Sequence, residues 1–176
     1  FQHFTKIADA APCPVLLYNV PARTGSNISA ETILRLAEHP NIFGVKEAGI
    51  DISQWNQIAR YKPDDFLLIS GNDLVTLSQI AIGGEGLISV MANAFPKIIR
   101  RSIEAALRGD FMGAQKELFR LLEIDPLMYV ESNPVGLKQV LSELGVCQAQ
   151  VRLPLLPASD GLKHKIKELM KAEHLF

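Results

Sequence analysis

Apolar residues gather in four short runs, Val15–Asn19, Ile42–Glu47, Phe66–Ser70 and Gly86–Val90, each followed by turn residues and then by a stretch of helical spacing. The runs are almost wholly apolar, which predicts strands covered on both faces, and their alternation with helices predicts βα units sharing a parallel sheet. Ser29 is placed to cap a helix with Ile33, Leu36 and Ala37 on one face, ending near His39-Pro40. Asp51-Ile52-Ser53-Gln54 resembles a capping box for a helix bearing Trp55, Ile58 and Ala59. Asp73 is placed to cap a third, with Leu74, Leu77, Ile80 and Ala81, stopped by Gly83-Gly84. Pro96 leads into a fourth over Lys97–Leu107, closed at Gly109.

From Asp110 onward the strand pattern ceases and helical spacing covers Phe111–Ile124, Pro134–Leu144 and Leu162–Ala172. Asn133-Pro134 is predicted as an N-cap with a first-turn proline, Gly145 as a stop and Ser159 as a further cap. The expected fold class is therefore α/β, with a βα region over 1–109 and an all-helical region over 110–176. Phe4, Ile7 and Ala8 read as the last turns of an amphipathic helix, so the chain is expected to begin partway through a domain.

Composition narrows the partners more than the fold. With 48% hydrophobic and 21% charged residues, the 176-residue chain can bury a real core, and disorder is not expected. A net charge of −1 gives no electrostatic footprint for nucleic acid or an anionic membrane, which leaves small molecules as the expected partners. The longest uncharged stretch, Ala10 to Ala22, is broken by three prolines and too short to cross a bilayer, and no signal-peptide pattern precedes it, so a cytoplasmic location is expected. Cys13 and Cys147 lie far apart without metal or disulfide spacing and are expected as buried free thiols; the histidines at 3, 39, 164 and 174 show no ligand spacing, and no metal is expected.

Chemistry concentrates at Lys46. An ammonium closing a buried strand is costly to desolvate, the cost is relieved if the amine is neutral, and a neutral lysine condenses with ketones. A lone lysine at such a position more often reaches into solvent. Its company changes the reading: the neighbouring run ends in Tyr18, with Arg23 just beyond. In parallel α/β proteins catalytic groups gather at the carboxyl ends of the strands, and here those ends supply Tyr18, Lys46, Ser70-Gly71-Asn72-Asp73 and Ile88-Ser89. Lys46 then forms a Schiff base with a keto acid, Tyr18 moves protons, and Arg23 grips a carboxylate in two-pronged fashion. Gly71 and the Ile88 backbone are placed to touch substrate. Gly83-Gly84-Glu85-Gly86 precedes a strand instead of linking one to a helix, so it reads as helix termination and not as a phosphate loop.

The motifs Tyr18-Asn19-Val20-Pro21-Ala22-Arg23-Thr24-Gly25, Gly44-Val45-Lys46-Glu47-Ala48, Ser70-Gly71-Asn72-Asp73, Gly83 to Val90 and Asn133-Pro134 together resemble the dihydrodipicolinate synthase branch of the pyruvate-dependent class I aldolases, in order and spacing over nearly the entire chain. The resemblance implies a (β/α)8 barrel followed by a helical domain, with this chain supplying strands five to eight and the helical part. It implies a Schiff base between Lys46 and pyruvate, proton relay by Tyr18, Arg23 on the carboxylate of aspartate semialdehyde, and the Ile88 backbone lining the pyruvate pocket. The implied product is 4-hydroxytetrahydrodipicolinate, an intermediate of lysine biosynthesis. No external cofactor is implied, and a homotetramer or dimer of the full-length protein is.

N-acetylneuraminate lyase relatives share the tyrosine and lysine motifs but generally lack arginine at this loop position, so Arg23 favours the synthase. The first half of such a barrel is not among these residues; with it go the Thr-Thr segment for the pyruvate carboxylate, the second tyrosine of the relay and the allosteric lysine site. Strands five and eight are then expected to expose unpaired edges, and the isolated chain is expected to be inactive. Two other readings stay open: a different pyruvate aldolase acting on a sugar acid, and a non-catalytic half-barrel module.

Overall fold

The computed structural model describes residues 1–176, and the chain divides into two compact units, Phe1–Ser89 and Val90–Phe176. In the first unit four parallel strands, β1 (Val15–Asn19), β2 (Ile42–Glu47), β3 (Leu67–Ser70) and β4 (Gly86–Leu87), lie in their order along the chain. Around them run α1 (Gln2–Ala10), α2 (Pro21–Thr24), α3 (Ala30–Leu36), α4 (Ile52–Tyr61) and α5 (Thr76–Ala81). The first three strands sit where the apolar runs predict them; the fourth pairs over only two residues, Gly86 opposite Ile69 and Leu87 opposite Ser70.

Alternation along each strand separates two environments. Leu17, Val45 and Leu68 are buried, and they form one cluster with Ala8 of α1, Ile33 and Leu36 of α3, and Ile58 of α4. Burying each of the larger side chains contributes about 1.5–3 kcal/mol, which anchors the helices to that face. On the opposite face Leu16, Lys46, Leu67 and Ile69 are only partly buried and Tyr18 is exposed. The strands carry apolar residues on both faces, but in this unit helices cover only one of them, so the cover expected on both faces is present on one.

Side-chain caps start two of the helices in this unit, α3 and α4. The Ser29 hydroxyl accepts from Thr32 N, and the Asp51 carboxylate from Ser53 N and Gln54 N. The capping box is incomplete, because the Gln54 amide turns away to Glu47 and Asn27. Asp73 does not cap α5. That helix begins at Thr76 without a side-chain cap, and the Asp73 carboxylate accepts from the Ser89 hydroxyl instead. Both thiols are exposed, Cys13 in the bend before β1 and Cys147 just past Gly145, so neither is the buried thiol that the sequence suggests.

The second unit holds α6 (Pro96–Leu107), α7 (Phe111–Leu118), α8 (Val135–Glu143) and α9 (Asp160–Ala172). Helix α6 packs along α7, where the Ser102 hydroxyl donates to Ala114 O at 2.9 Å. It therefore belongs with the helices after Gly109 in compactness, although it continues the β/α alternation in sequence. Helix α7 is shorter than its periodicity predicts, giving way at Phe119 to tight turns that end at Met128. Gly136 lets α8 approach those turns, because a Cβ there would stand 2.2 Å from Leu127 O. Asn133 does not cap α8; the residue preceding the first turn is Pro134, and Asn133-Pro134 is cis. Ser159 caps α9 as predicted, accepting from Leu162 N. No helix is long and apolar enough to cross a membrane.

Candidate active site

The register of β1 against β2 sets Tyr18 opposite Lys46 and Asn19 opposite Glu47. Tyr18 and Lys46 consequently project to the same, partly open side of the sheet. The Lys46 amine sits over the Tyr18 ring, 4.3 Å from its centroid. The negative face of the ring attracts an ammonium there by about 0.5–2 kcal/mol. Lys46 is half-buried and Tyr18 is 45% exposed, so among these residues the pair is reachable by a small molecule.

Gly71, the first residue after β3, lies under the lysine stem. A Cβ at Gly71 would meet Ala48 Cβ at 2.7 Å, Lys46 Cε at 3.0 Å and Lys46 Cγ at 3.2 Å. Its amide donates to Glu47 O at 2.8 Å. The absence of a side chain here lets the lysine lie against the backbone, which is a more specific part than the substrate contact read from the sequence.

Arg23 lies in α2, directly after β1, exposed and without an ion pair. Ile88 follows β4; its amide donates to Ser70 O at 2.9 Å and its side chain is exposed. The structure therefore brings Tyr18, Lys46 and Gly71 into contact, while Arg23 and Ile88 share the strand-end rim without a polar contact to that trio.

On the helix-covered side of the same strand ends is a group that sequence reasoning passed over. Glu47 is 1% exposed, yet every polar partner it has is a donor: Asn19 Nδ2 at 2.8 Å and Gln54 Nε2 at 3.0 Å to Oε2, and Gly49 N at 2.6 Å to Oε1. Asn19, also 1% exposed, accepts from Ile28 N at 3.0 Å and donates to Asn27 Oδ1 at 2.8 Å. Asn27 in turn donates to Gln54 Oε1 at 2.9 Å. The signal lay in the pattern: a polar residue one step past each candidate catalytic residue must point to the opposite face, and that face is buried.

A four-stranded parallel sheet that presents a lysine over a tyrosine ring at its strand ends defines an α/β protein with a candidate site at the carboxyl ends of its strands. A model of the Dihydrodipicolinate synthetase family matches residues 1–173, and the chain belongs to that family. It is 49% identical over 168 residues to the 4-hydroxy-tetrahydrodipicolinate synthase of Cytophaga hutchinsonii, covering 96% of this chain and 57% of that protein. To the enzyme of the same name from Archaeoglobus fulgidus it is 38% identical over 175 residues, covering 99% and 61%. The crystal structure of dihydrodipicolinate synthase from Aquifex aeolicus superposes with a TM-score of 0.94 at 34% identity, over 99% of this chain and 60% of that one. The chain thus spans about three fifths of the length of the relatives it matches.

Proposed function

We propose that this chain is the catalytic-lysine half of a pyruvate-dependent lyase, which condenses pyruvate with aspartate semialdehyde to give 4-hydroxytetrahydrodipicolinate in lysine biosynthesis. Residues 1–109 form strands five to eight of a (β/α)8 barrel, and residues 110–176 a helical domain. The sheet's parallel order and its one uncovered face support this reading, since the inner face of a barrel is covered by the remaining strands and their side chains. Activity belongs to the barrel completed by the further length the relatives carry, assembled as a homotetramer or dimer in the cytoplasm.

The observation that carries the reading is the Lys46 amine stacked 4.3 Å from the Tyr18 ring centroid. In its neutral form Lys46 Nζ attacks the keto carbon of pyruvate, and loss of water leaves an imine. The protonated imine draws electrons from the adjacent methyl carbon, which loses a proton and becomes an enamine. The enamine carbon then bonds to the aldehyde carbon of aspartate semialdehyde, whose oxygen takes up a proton to become the hydroxyl, and the substrate's own amine attacks the imine carbon, closing the ring and releasing the Lys46 amine. Tyr18, whose ring lies beside the amine, takes and returns the protons in these steps. Arg23, exposed and without an ion-pair partner, is free to hold the carboxylate of the aldehyde substrate, and the Ile88 backbone and Gly71 border the pyruvate. The nucleophile is a side chain, so the chemistry calls for no external cofactor.

Borohydride reduction in the presence of pyruvate, followed by peptide mass mapping, tests the assignment in the completed barrel. The expected result is a stable adduct on the peptide containing Lys46, absent in Lys46→Ala. An unmodified Lys46 in protein that retains its fold would overturn it. Turnover of aspartate semialdehyde in preference to sialic acid separates the synthase from a sugar-acid aldolase.

A further inference from the structure

The buried carboxylate of Glu47 stands immediately next to the nucleophilic lysine in sequence and on the opposite face of the same strand. We propose that Glu47 is a positioning residue for the Lys46–Tyr18 pair, acting through a clamp with Asn19 and Gln54; the inference rests on the Schiff-base reading above.

Three features of the geometry carry it. Asn19 and Glu47 are register partners one step beyond Tyr18 and Lys46, so the 2.8 Å bond between their side chains fixes the relative height of the two strand ends on which the catalytic pair sits. The clamp extends sideways at both ends. Glu47 holds the turn after β2 through Gly49 N, where a Cβ would lie 2.8 Å from Oε1, and it holds the first turn of α4 through Gln54. Asn19 holds the segment after α2 through Ile28 N, and α2 is the turn that carries Arg23.

The third feature is the donor set. Asn19 Nδ2, Gln54 Nε2 and Gly49 N all point hydrogens at the two oxygens of Glu47, and a carboxylate has acceptor capacity only. An amide of the same shape has one oxygen. It can satisfy Gly49 or the Asn19 and Gln54 pair, and in either orientation it turns an N–H toward another N–H in a buried site. A role confined to filling space would tolerate that exchange of shape for shape; a clamp would not.

The test is Glu47→Gln in the completed barrel, read by the rate of imine formation with pyruvate, by deuterium exchange into the pyruvate methyl group, and by kcat and KM. Misplacing a reacting group by about 1 Å costs up to about 100-fold. The expected result is a fall of roughly 10- to 100-fold in imine formation and methyl exchange with KM for pyruvate little changed, and a crystal structure in which the Lys46–Tyr18 separation departs from 4.3 Å. The exchange Asn19→Asp with Glu47→Gln returns a carboxylate facing an amide across the same strand pair, and part of the rate should return with it. If Glu47→Gln does not fold, Gln54→Met removes one donor, keeps the charge, and should give a smaller loss of the same kind. Unchanged imine formation and methyl exchange in a folded variant would overturn the proposal, as would an unmoved Lys46–Tyr18 pair. A wild-type protein that forms no adduct on Lys46 overturns the Schiff-base reading itself, a result separate from a normal wild-type adduct with an indifferent Glu47→Gln.

Discussion

Gly71 and Lys46 are matched in shape: the backbone of the glycine leaves space that the lysine stem occupies, and a Cβ at Gly71 would stand 3.0 Å from Lys46 Cε and 2.7 Å from Ala48 Cβ. The lysine end can swing aside, whereas Ala48 sits on backbone held by the hydrogen bond its N–H donates to Asn19 O at 2.9 Å. Gly71→Ala should therefore move the lysine before it unfolds the sheet. The expected outcome is a loss of stability of about 1–3 kcal/mol, with a disproportionate fall in borohydride-trapped pyruvate. Chemical denaturation beside the trapping assay checks it; full trapping in the variant would show that the close fit is not needed for the chemistry.

Tyr18→Phe separates the two things the tyrosine offers. The ring under the Lys46 amine remains, and the hydroxyl goes. Imine formation should persist while methyl-proton exchange drops by about 100-fold, the usual scale for removing an acid–base group. Proton NMR of pyruvate in deuterated buffer measures the exchange, and equal exchange in the two proteins would remove Tyr18 from the relay.

Strand and helix positions in the first unit were legible because the βα repeats carry their own punctuation: Ser29 and Asp51 cap, Gly83 stops with positive φ, and apolar runs mark the strands. Lys46 and Tyr18 were legible as strand-end residues in neighbouring runs, and parallel register alone makes them face each other. Asp73 misled because its carboxylate has a competing donor in Ser89, which is distant in sequence and joined to it only by the fold. The Glu47 clamp was hidden for the same reason, since its donors come from β1, α4 and the turn after β2. Cys13 and Cys147 were misread because cysteine's frequent burial is a residue average, and both stand in bends.

Glu85, within the glycine-rich segment, has a structural part. Its carboxylate accepts from Lys62 Nζ at 2.8 Å and from Leu68 N at 2.7 Å, while Lys62 Nζ also donates to Phe66 O at 2.7 Å. Only 11% of the Lys62 side chain is exposed, so solvent replaces the bond poorly. Lys62→Met should cost about 1–3 kcal/mol by leaving Phe66 O and Glu85 short of a donor. Glu85→Gln should cost less, since Lys62 keeps its carbonyl partner. Urea unfolding of the two variants checks the order, and a Lys62→Met protein as stable as wild type would show that water reaches this corner.

In the second unit, acid sensitivity has a definite sign. The Arg101 guanidinium bonded to Glu117 at 3.0 Å holds its carboxyl below the usual range, with Arg120 adding to the effect. Glu131 is lowered by the Ser159 hydroxyl and then by Ser159 N. Both carboxyls bind protons less readily folded than unfolded, so their contribution is present above the ordinary glutamate value of about 4.3 and disappears as pH falls through the lower folded values. Stability should accordingly rise with pH across that window and level off above about pH 5. Ser159 also caps α9 through Leu162 N, so protonating Glu131 loosens the residue that starts the helix. Glu131→Gln removes the charge at every pH and should flatten the acid limb of the unfolding curve while lowering the plateau. Unfolding midpoints at about pH 3.5, 4.5 and 7, spanning the glutamate value, measure this, and an acid limb equally steep in Glu131→Gln would place the sensitivity on the other lowered carboxyls, Glu117, Asp160 and Glu168.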